Sequence, residues 1–271
     1  MKASLFSFIL TITLSFNSIA QNGTNQIGAR SASMGHASST LEDHWAVFNN
    51  PGALGGLEET SAFAAFENRF GIAGLNSMAA GFVTSLSLGT AGLSVFRFGD
   101  QLYNEQMVSV VYGNMFGISS LGARVNYLQY SVEGFGTKGV ITIDFGGTAT
   151  LTENLRFGAF IRNINQARIS EINNQRTPTI LLAGVSYTFS NRLLLAIETE
   201  KDIDMPALFK AGIEYQFLPK FYARTGIKTN QLVNYFGLGF VNQNLEIDYA
   251  LTWESTLGVN HQANVSYIIK K

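Results

Sequence analysis

The sequence predicts an all-β protein: a single transmembrane antiparallel β-barrel of about fourteen strands, with an N-terminal hatch or plug. Three observations predict it. Apolar and polar residues alternate with period two from about Thr60 to Ile269, the pattern of strands with two unlike faces. Charged residues are only 14% of the 271, against roughly 25% in a soluble domain. Mean hydropathy is nevertheless only +0.13, too low for a bundle of membrane helices. After the N-terminal leader, no run reaches the ~20 apolar residues that a spanning helix needs. A chain that crosses lipid without such helices must close its strands into a barrel, because every backbone polar group needs an internal partner there.

Residues 1–20 read as a cleaved signal peptide. Lys2 gives the positive start, Leu5 to Leu14 the apolar stretch, and Ser18-Ile19-Ala20 the small residues of a cleavage site before Gln21. Export of a strand-built membrane protein places it in the outer membrane of a Gram-negative bacterium, with outer-membrane lipid around it.

Residues 21–59 are small, polar and aperiodic, with short helical turns expected at Ala32–Leu41 and around Ala53. They form the expected hatch in the lumen, and residues 60–271 the transmembrane barrel. Strands are expected near 60–69, 78–88, 90–99, 106–116, 119–130, 138–150, 155–163, 179–189, 192–201, 207–217, 221–228, 234–241, 245–254 and 261–269. The late ones are clearest. Phe209, Ala211, Ile213, Tyr215 and Phe217 oppose Lys210, Gly212, Glu214 and Gln216. Leu245, Ile247, Tyr249, Leu251 and Trp253 oppose Glu246, Asp248, Ala250, Thr252 and Glu254. Short turn signals stand at Thr152-Glu153-Asn154, Ser190-Asn191, Pro219-Lys220 and Asn242-Gln243-Asn244. Longer polar connections are expected at Asp100–Glu105, Ser131–Lys138, Gln166–Pro178 and Glu254–Asn260, as outer loops.

A soluble β-sandwich would alternate in the same way, with its apolar face inward. The strand number, the low charge and a polar parity rich in Gly, Ser, Asn and Thr favour the barrel. Tyr112, Tyr127, Tyr130, Tyr187, Tyr222, Tyr235, Trp253 and Tyr267 fit interfacial girdles. The parity flips in Leu93–Phe98, which calls for a bulge or an inward aromatic. The inward cations are then Arg124, Arg156, Arg162, Lys210, Arg224 and Lys228. The inward anions are Asp144, Glu198, Glu200, Glu214, Glu246, Asp248 and Glu254. This near balance suits charges that pair with one another better than an ion-selective pore. Inward glycines, among them Gly92, Gly113, Gly122, Gly158, Gly184, Gly212 and Gly226, leave room for a plug.

Little chemistry is visible. Lys+Arg is 18 and Asp+Glu 19, so no basic footprint marks nucleic acid as a partner. The absence of cysteine excludes thiolate catalysis, Cys-ligated zinc and disulfides. Asp43-His44 near Ser38 and Ser39 resembles an acid–base pair beside a nucleophile, but no glycine elbow frames either serine. His36, His44 and His261 are too scattered for a metal site. The reading is a non-enzyme with no metal and no cofactor.

The remaining constellation is Asn49, Asn50, Pro51 and Gly52, read from the residues alone as a turn. With Gly28-Ala29-Arg30, Met34-Gly35, Ala37, Asp43, Ala53 and Leu54, it resembles the opening of FadL-like outer-membrane barrels, in particular their PorV/PorQ branch. Gly212-Ile213-Glu214-Tyr215, Arg224-Thr225-Gly226, Gly237-Leu238-Gly239-Phe240, Asp248-Tyr249-Ala250 and Gly258-Val259-Asn260-His261 resemble that branch's closing strands, and Arg162-Asn163 also fits. The resemblance implies a fourteen-stranded barrel whose hatch, 21–59, folds into the lumen. It implies an accessory or scaffold role in type IX secretion or surface attachment, with protein partners in a translocon complex. The alternative is a FadL-like channel for hydrophobic small molecules. Asn50-Pro51-Gly52 would then be the kink of the hatch, Phe96, Phe98 and Phe160 would line an apolar pocket, and a hydrophobic ligand would occupy the lumen.

Overall fold

The computed structural model describes residues 26–170, 175–229 and 233–270. The signal peptide expected at 1–20, and residues 21–25 of the expected hatch, lie outside the described residues. Among the described residues, fourteen strands close into one barrel. They are β1 (Thr60–Arg69), β2 (Asn76–Leu86), β3 (Gly89–Gly99), β4 (Tyr103–Phe116), β5 (Ser119–Val132), β6 (Gly136–Thr150) and β7 (Leu155–Arg162), then β10 (Ile180–Ser190), β11 (Leu193–Asp202), β12 (Leu208–Leu218), β13 (Phe221–Lys228), β14 (Val233–Asn242), β15 (Leu245–Glu254) and β16 (Gly258–Lys270). Between β7 and β10 lies a small ribbon, β8 (Arg168–Ser170) with β9 (Gln175–Arg176). Neighbours are antiparallel and follow chain order. Closure is made by β1 and β16, from Thr60↔Lys270 to Arg69↔Asn260.

Burial decides between barrel and sandwich. In β16, Gln262, Asn264 and Ser266 are buried, while Val265, Tyr267 and Ile269 are exposed. In β14 and β15, Phe236, Leu238, Ile247 and Tyr249 face outward. Arg124, Asp144, Glu198 and Lys210 are all nearly inaccessible. A water-soluble fold would bury the other parity. An apolar outer wall around a polar interior is the arrangement lipid demands.

The two ends differ. At one end the turns have two residues, 87–88, 117–118, 191–192, 219–220 and 243–244, or four, 151–154. At the other the connections range from 100–102, 133–135 and 255–257 to the long 163–179. Barrels of this type turn tightly on the periplasmic side, which orients the molecule.

Several expectations are corrected. Asp100–Glu105 and Ser131–Lys138 are not long loops, because β4 begins at Tyr103 and β6 at Gly136. Their polar residues sit on strands that pair to the tip, as in Tyr103↔Val132 and Val132↔Gly136. Likewise β15 ends at Glu254 and β16 starts at Gly258. Of the supposed girdle residues, Tyr235 is buried in the lumen, while Tyr112, Tyr127, Tyr187, Trp253 and Tyr267 do face outward. The flip in β3 is an inward aromatic and not a bulge. Its register with β2 and β4 is unbroken, and Phe96 and Phe98 are buried.

Residues 26–59 pass through the barrel interior. They form α1 (Ala29–Ser33), α2 (Ala46–Asn49) and a 3-10 turn at Pro51–Leu54. Helices this short are held by packing and not by propensity. The main apolar cluster joins Ile27, Trp45, Val47, Phe48, Ala53 and Leu54 of this segment to Phe63, Val83, Phe96, Phe98, Met107 and Leu128 of the wall.

Candidate functional site in the plugged lumen

The internal segment is seated on glycines. Gly113↔Gly122 and Gly122↔Gly146 are cross-strand pairs, as are Gly184↔Gly158 and Gly212↔Gly226. Added methyl groups at these positions would overlap the segment: Gly122 faces Pro51, Gly146 faces Asn50, Gly158 faces Ser39 and Gly212 faces Met34. Gly52 leans in turn on Gly147, where a methyl would strike wall backbone. Gly92 is different, since Val111 and Val83 side chains fill its space. Close backbone approach is what the missing side chains provide.

Of the four motif residues, Asn50 ties the segment to the wall. It is fully buried, and its Nδ2 donates to Ser39 O at 2.6 Å and to Gly147 O at 3.2 Å. Its Oδ1 accepts from Gly52 N at 3.0 Å. Pro51 opens the 3-10 turn, as its fixed φ and missing N–H allow. Asn49 works within the segment, with Nδ2 donating to Ile27 O at 2.9 Å and Oδ1 accepting from Ile27 N at 3.2 Å. Wall side chains complete the hold. Ser120 Oγ donates to Gly52 O at 2.5 Å, Arg124 to Val47 O at 2.6 Å, and Ala29 N to Asn264 Oδ1 at 2.7 Å.

Most of the expected lumen charges pair. Arg124 meets Asp144 at 2.6 Å, with both side chains almost wholly buried. Lys210 bridges Glu198 at 3.0 Å and Glu200 at 2.5 Å. Arg224 bridges Glu214 at 2.5 Å and Asp248 at 2.6 Å. Besides Arg124, three of these groups reach the segment: Glu198 accepts from Ser38 N and Ser39 N, Lys210 donates to Gln26 Oε1 and His36 O, and Arg30 crosses to Glu214. Each charge in these three clusters thus keeps a partner, as a low-dielectric interior requires.

Lumen polarity is one-sided. β3 to β6 supply Phe96, Phe98, Met107, Leu128 and Val140, all inward and buried. Ala167 and Ile169 of the 163–179 connection pack against them. β11 to β15 supply Glu198, Glu200, Lys210, Glu214, Arg224 and Asp248, and the Arg124–Asp144 pair stands on β5 and β6. Phe160, the third expected inward aromatic, lies between Arg124 and Arg162.

Two cavities bear on the site. One of about 240 Å³ opens inside the barrel beside Arg30, Asp43, His44, Trp45, Glu59 and Glu246. The other, about 590 Å³, is an apolar groove on the outer wall, edged by Leu121, Phe145, Phe157 and Leu181. It crosses the seam of β6 and β7, whose ladder runs only from Phe145↔Ile161 to Thr150↔Arg156. Beyond it, Asn165 caps the strand edge through Ile143 N and Ile141 O. Gly146 and Gly147 line this groove and also face Asn50 and Gly52 inside.

The candidate acid–base pair is not assembled as such. His44 Nδ1 lies 3.2 Å from Glu59, whereas Ser38 and Ser39 give their backbone N–H to Glu198. Burial disfavours the charged form of His44. The Glu59 hydrogen bond and the carboxylates of Asp43 and Glu246 outweigh it, so the pKa is raised. His261 stands on the outer face beside the Tyr249 hydroxyl. Among the described residues no group of three or more His, Asp or Glu is placed to hold a metal ion. Sequence reasoning missed Glu42 and Glu59, which carry no signal in an aperiodic stretch. It found Arg30 only through a motif.

No family model matches the sequence, and no curated protein matches it. Solved structures do match in shape. The Ralstonia pickettii toluene transporter TbuX superposes with a TM-score of 0.69 at 14% identity, over 92% of this chain and 99% of that one. The CymD monoaromatic hydrocarbon channel gives 0.66 at 12% identity, over 92% and 98%. A Pseudomonas aeruginosa FadL homologue gives 0.63 at 11% identity, over 90% and 99%. At these identities the likeness is one of fold: this chain has a FadL-like outer-membrane barrel.

Proposed function

We propose that the protein is an outer-membrane channel for small hydrophobic molecules, with residues 21–59 as its hatch. Asn49, Asn50, Pro51 and Gly52 form the point at which the hatch latches to the wall. The observation that carries this reading is the apolar side of the lumen, where Phe96, Phe98, Met107, Leu128 and Val140 meet Trp45 and Phe48 of the hatch. A passage for ions or sugars is lined by polar groups. An inward apolar face instead offers a nonpolar solute a surface it prefers to water. The names of the similar structures, a toluene transporter and a monoaromatic hydrocarbon channel, support the same class of cargo. The chain's own residues would act by binding and gating, without catalysis or cofactor.

Trp45 reports on this site, because it belongs to the buried cluster. The other tryptophan, Trp253, faces outward and is removed by Trp253→Phe. Titration of that variant with bromobenzene should quench Trp45 fluorescence saturably. Quenching that stays linear, as from probe dissolved in the micelle, rejects the reading.

A second reading is an accessory barrel of PorV/PorQ type, bound to protein partners in a secretion or attachment machine. One observation favours it. β5 and β6 project as a hairpin, exposed on both faces over 132–139, with Phe135 at its tip 91% accessible. A bare aromatic on a projecting hairpin suits a protein contact. Pull-down from native membranes, with and without Phe135→Ser, separates the readings.

A further inference from the structure

The apolar groove of about 590 Å³ on the outer wall follows one row of cross-strand neighbours. Gly147↔Ala159, Ala159↔Ala183 and Ala183↔Thr199 set four small outward-facing residues side by side on β6, β7, β10 and β11. The rows that flank them are bulky, with Phe145, Ile161 and Leu181 along one side and Phe157, Val185 and Ile197 along the other. Leu121 on β5 and Phe209 on β12 close the two ends. Small residues between large ones leave a trough in a wall that otherwise bristles with side chains.

The trough slopes. Strands of such a barrel tilt by roughly 35–45°, so a row at right angles to them descends through the membrane. Thr199, at its β11 end, lies near the extracellular end of that strand, whereas Leu121, at its β5 end, lies just after the tight periplasmic turn 117–118. From β11 to β5 the row crosses four strand spacings, about 19 Å, which is the reach of an extended acyl chain.

Lys201 stands at the upper rim. It follows Thr199 on the same face of β11, opposite Leu181, and is exposed. Among the described residues it is the one charged group in the lining, and no carboxylate lines the trough. Its Nζ donates to Met205 O, which leaves the positive charge unanswered. The neighbouring Asp202 shares the inward parity of Glu198 and Glu200, and its Oδ1 accepts from Asp204 N at 3.0 Å. Arg97 on β3 makes the contrast. It is also exposed on the outer face near the extracellular end, but Met78 and Gln106 flank it and Leu93 and Val95 project below it. An ammonium at head-group level over a trough that descends into the bilayer fits a lipid with an anionic head and its chain pointing inward.

We propose that the trough seats one acyl chain of a phosphate-bearing lipid of the outer leaflet, with a phosphate oxygen accepting a hydrogen bond from Lys201 Nζ. The lipid lies against the outside of the wall. Its recognition rests on the outer-membrane barrel and is independent of what crosses the lumen.

Native mass spectrometry of the detergent-solubilised full chain tests this, with lipid A and its dephosphorylated form as probes. The expected result is a single retained lipid A, weakened about tenfold by Lys201→Gln, as the loss of one charged hydrogen bond implies. The dephosphorylated form should bind more weakly and be indifferent to Lys201→Gln. Ala183→Phe, which fills the trough, should weaken both probes, and Arg97→Gln should change neither. Equal losses in Lys201→Gln and Arg97→Gln would mean interfacial charge only and overturn the proposal. Lipid A binding untouched by Ala183→Phe would overturn it too. So would displacement of the lipid by toluene, which would make the trough a route for solute, or a barrel dimer abolished by Ala183→Phe, which would give the face to a second copy. All three substituted side chains point outward, so the variants should keep the barrel, verified by unchanged circular dichroism.

Discussion

Arg30 of the internal segment and Glu214 of β12 meet as a two-pronged pair, with Nε donating to Oε2 at 2.8 Å and an η nitrogen donating to Oε1 at 2.7 Å. This fork joins the internal segment to the wall, and Arg30 also reaches Asp43 within the segment at 3.1 Å. Such parallel bonds fix geometry as well as energy. Arg30→Met should loosen residues 26–59 by about 2 kcal/mol, the range for hydrogen bonds to charged groups. Glu214 keeps Arg224, so the barrel itself should survive. Hydrogen exchange should quicken in the segment and leave the strand ladders unchanged.

Asn50→Ala removes the donor to Ser39 O and Gly147 O and the acceptor for Gly52 N. Leaving such groups unsatisfied costs about 1–3 kcal/mol each. The hatch should detach from β6, and planar-bilayer recordings should show openings that the parent protein lacks. Unchanged conductance would deny Asn50 its role as the latch.

The glycine seat gives a steric test. Gly212→Val would place a branched side chain where Met34 packs, and Gly158→Val would do so at Ser39. Each should displace the segment and expose residues 26–59 to added protease in detergent. Gly92→Ala should not, because the atoms nearest its added methyl are the Val111 and Val83 side chains and Phe82 O, all of the wall.

Two histidines in the segment respond to pH in opposite senses. His44 has a raised pKa, so its contribution is complete below the unfolded value near 6.5 and is lost as pH rises through the folded value. His36 is pushed down to about 3, by burial first and then by Lys210 and Lys228. Its contribution is present above the unfolded value and is lost as pH falls toward 3. His36→Asn should therefore flatten the loss of hatch protection on acidification, and Asn tolerates the φ of 61° found there. His44→Gln should flatten the loss on the alkaline side. Protease protection of the segment across a pH series measures both.

The barrel was legible because its signal is periodic. Lys210, Glu214 and Arg224 share a parity with Gly212 and Gly226, and that parity faces the lumen. Phe96 and Phe98 could also be placed inward, since the break in alternation admitted few explanations. The strand tips were harder: Asn104, Ser131 and Thr137 read as loop by composition, yet they sit in paired hairpins. Hatch geometry had no periodic signal at all. Glu59, Glu42 and His44 come together through tertiary packing of irregular backbone, which no local pattern encodes. Asn50 was singled out by a motif, but its hydrogen bonds to Ser39 and Gly147 could not be read from spacing.

The most direct measurement of the proposed function is uptake of labelled toluene by bacteria that express this barrel, compared with the same cells carrying an empty vector. Faster uptake, reduced when Phe96 and Phe98 are both changed to Asn, is the result expected of a lumen whose apolar side carries the solute. Identical uptake in all three strains, with the barrel present in the outer membrane, would contradict it.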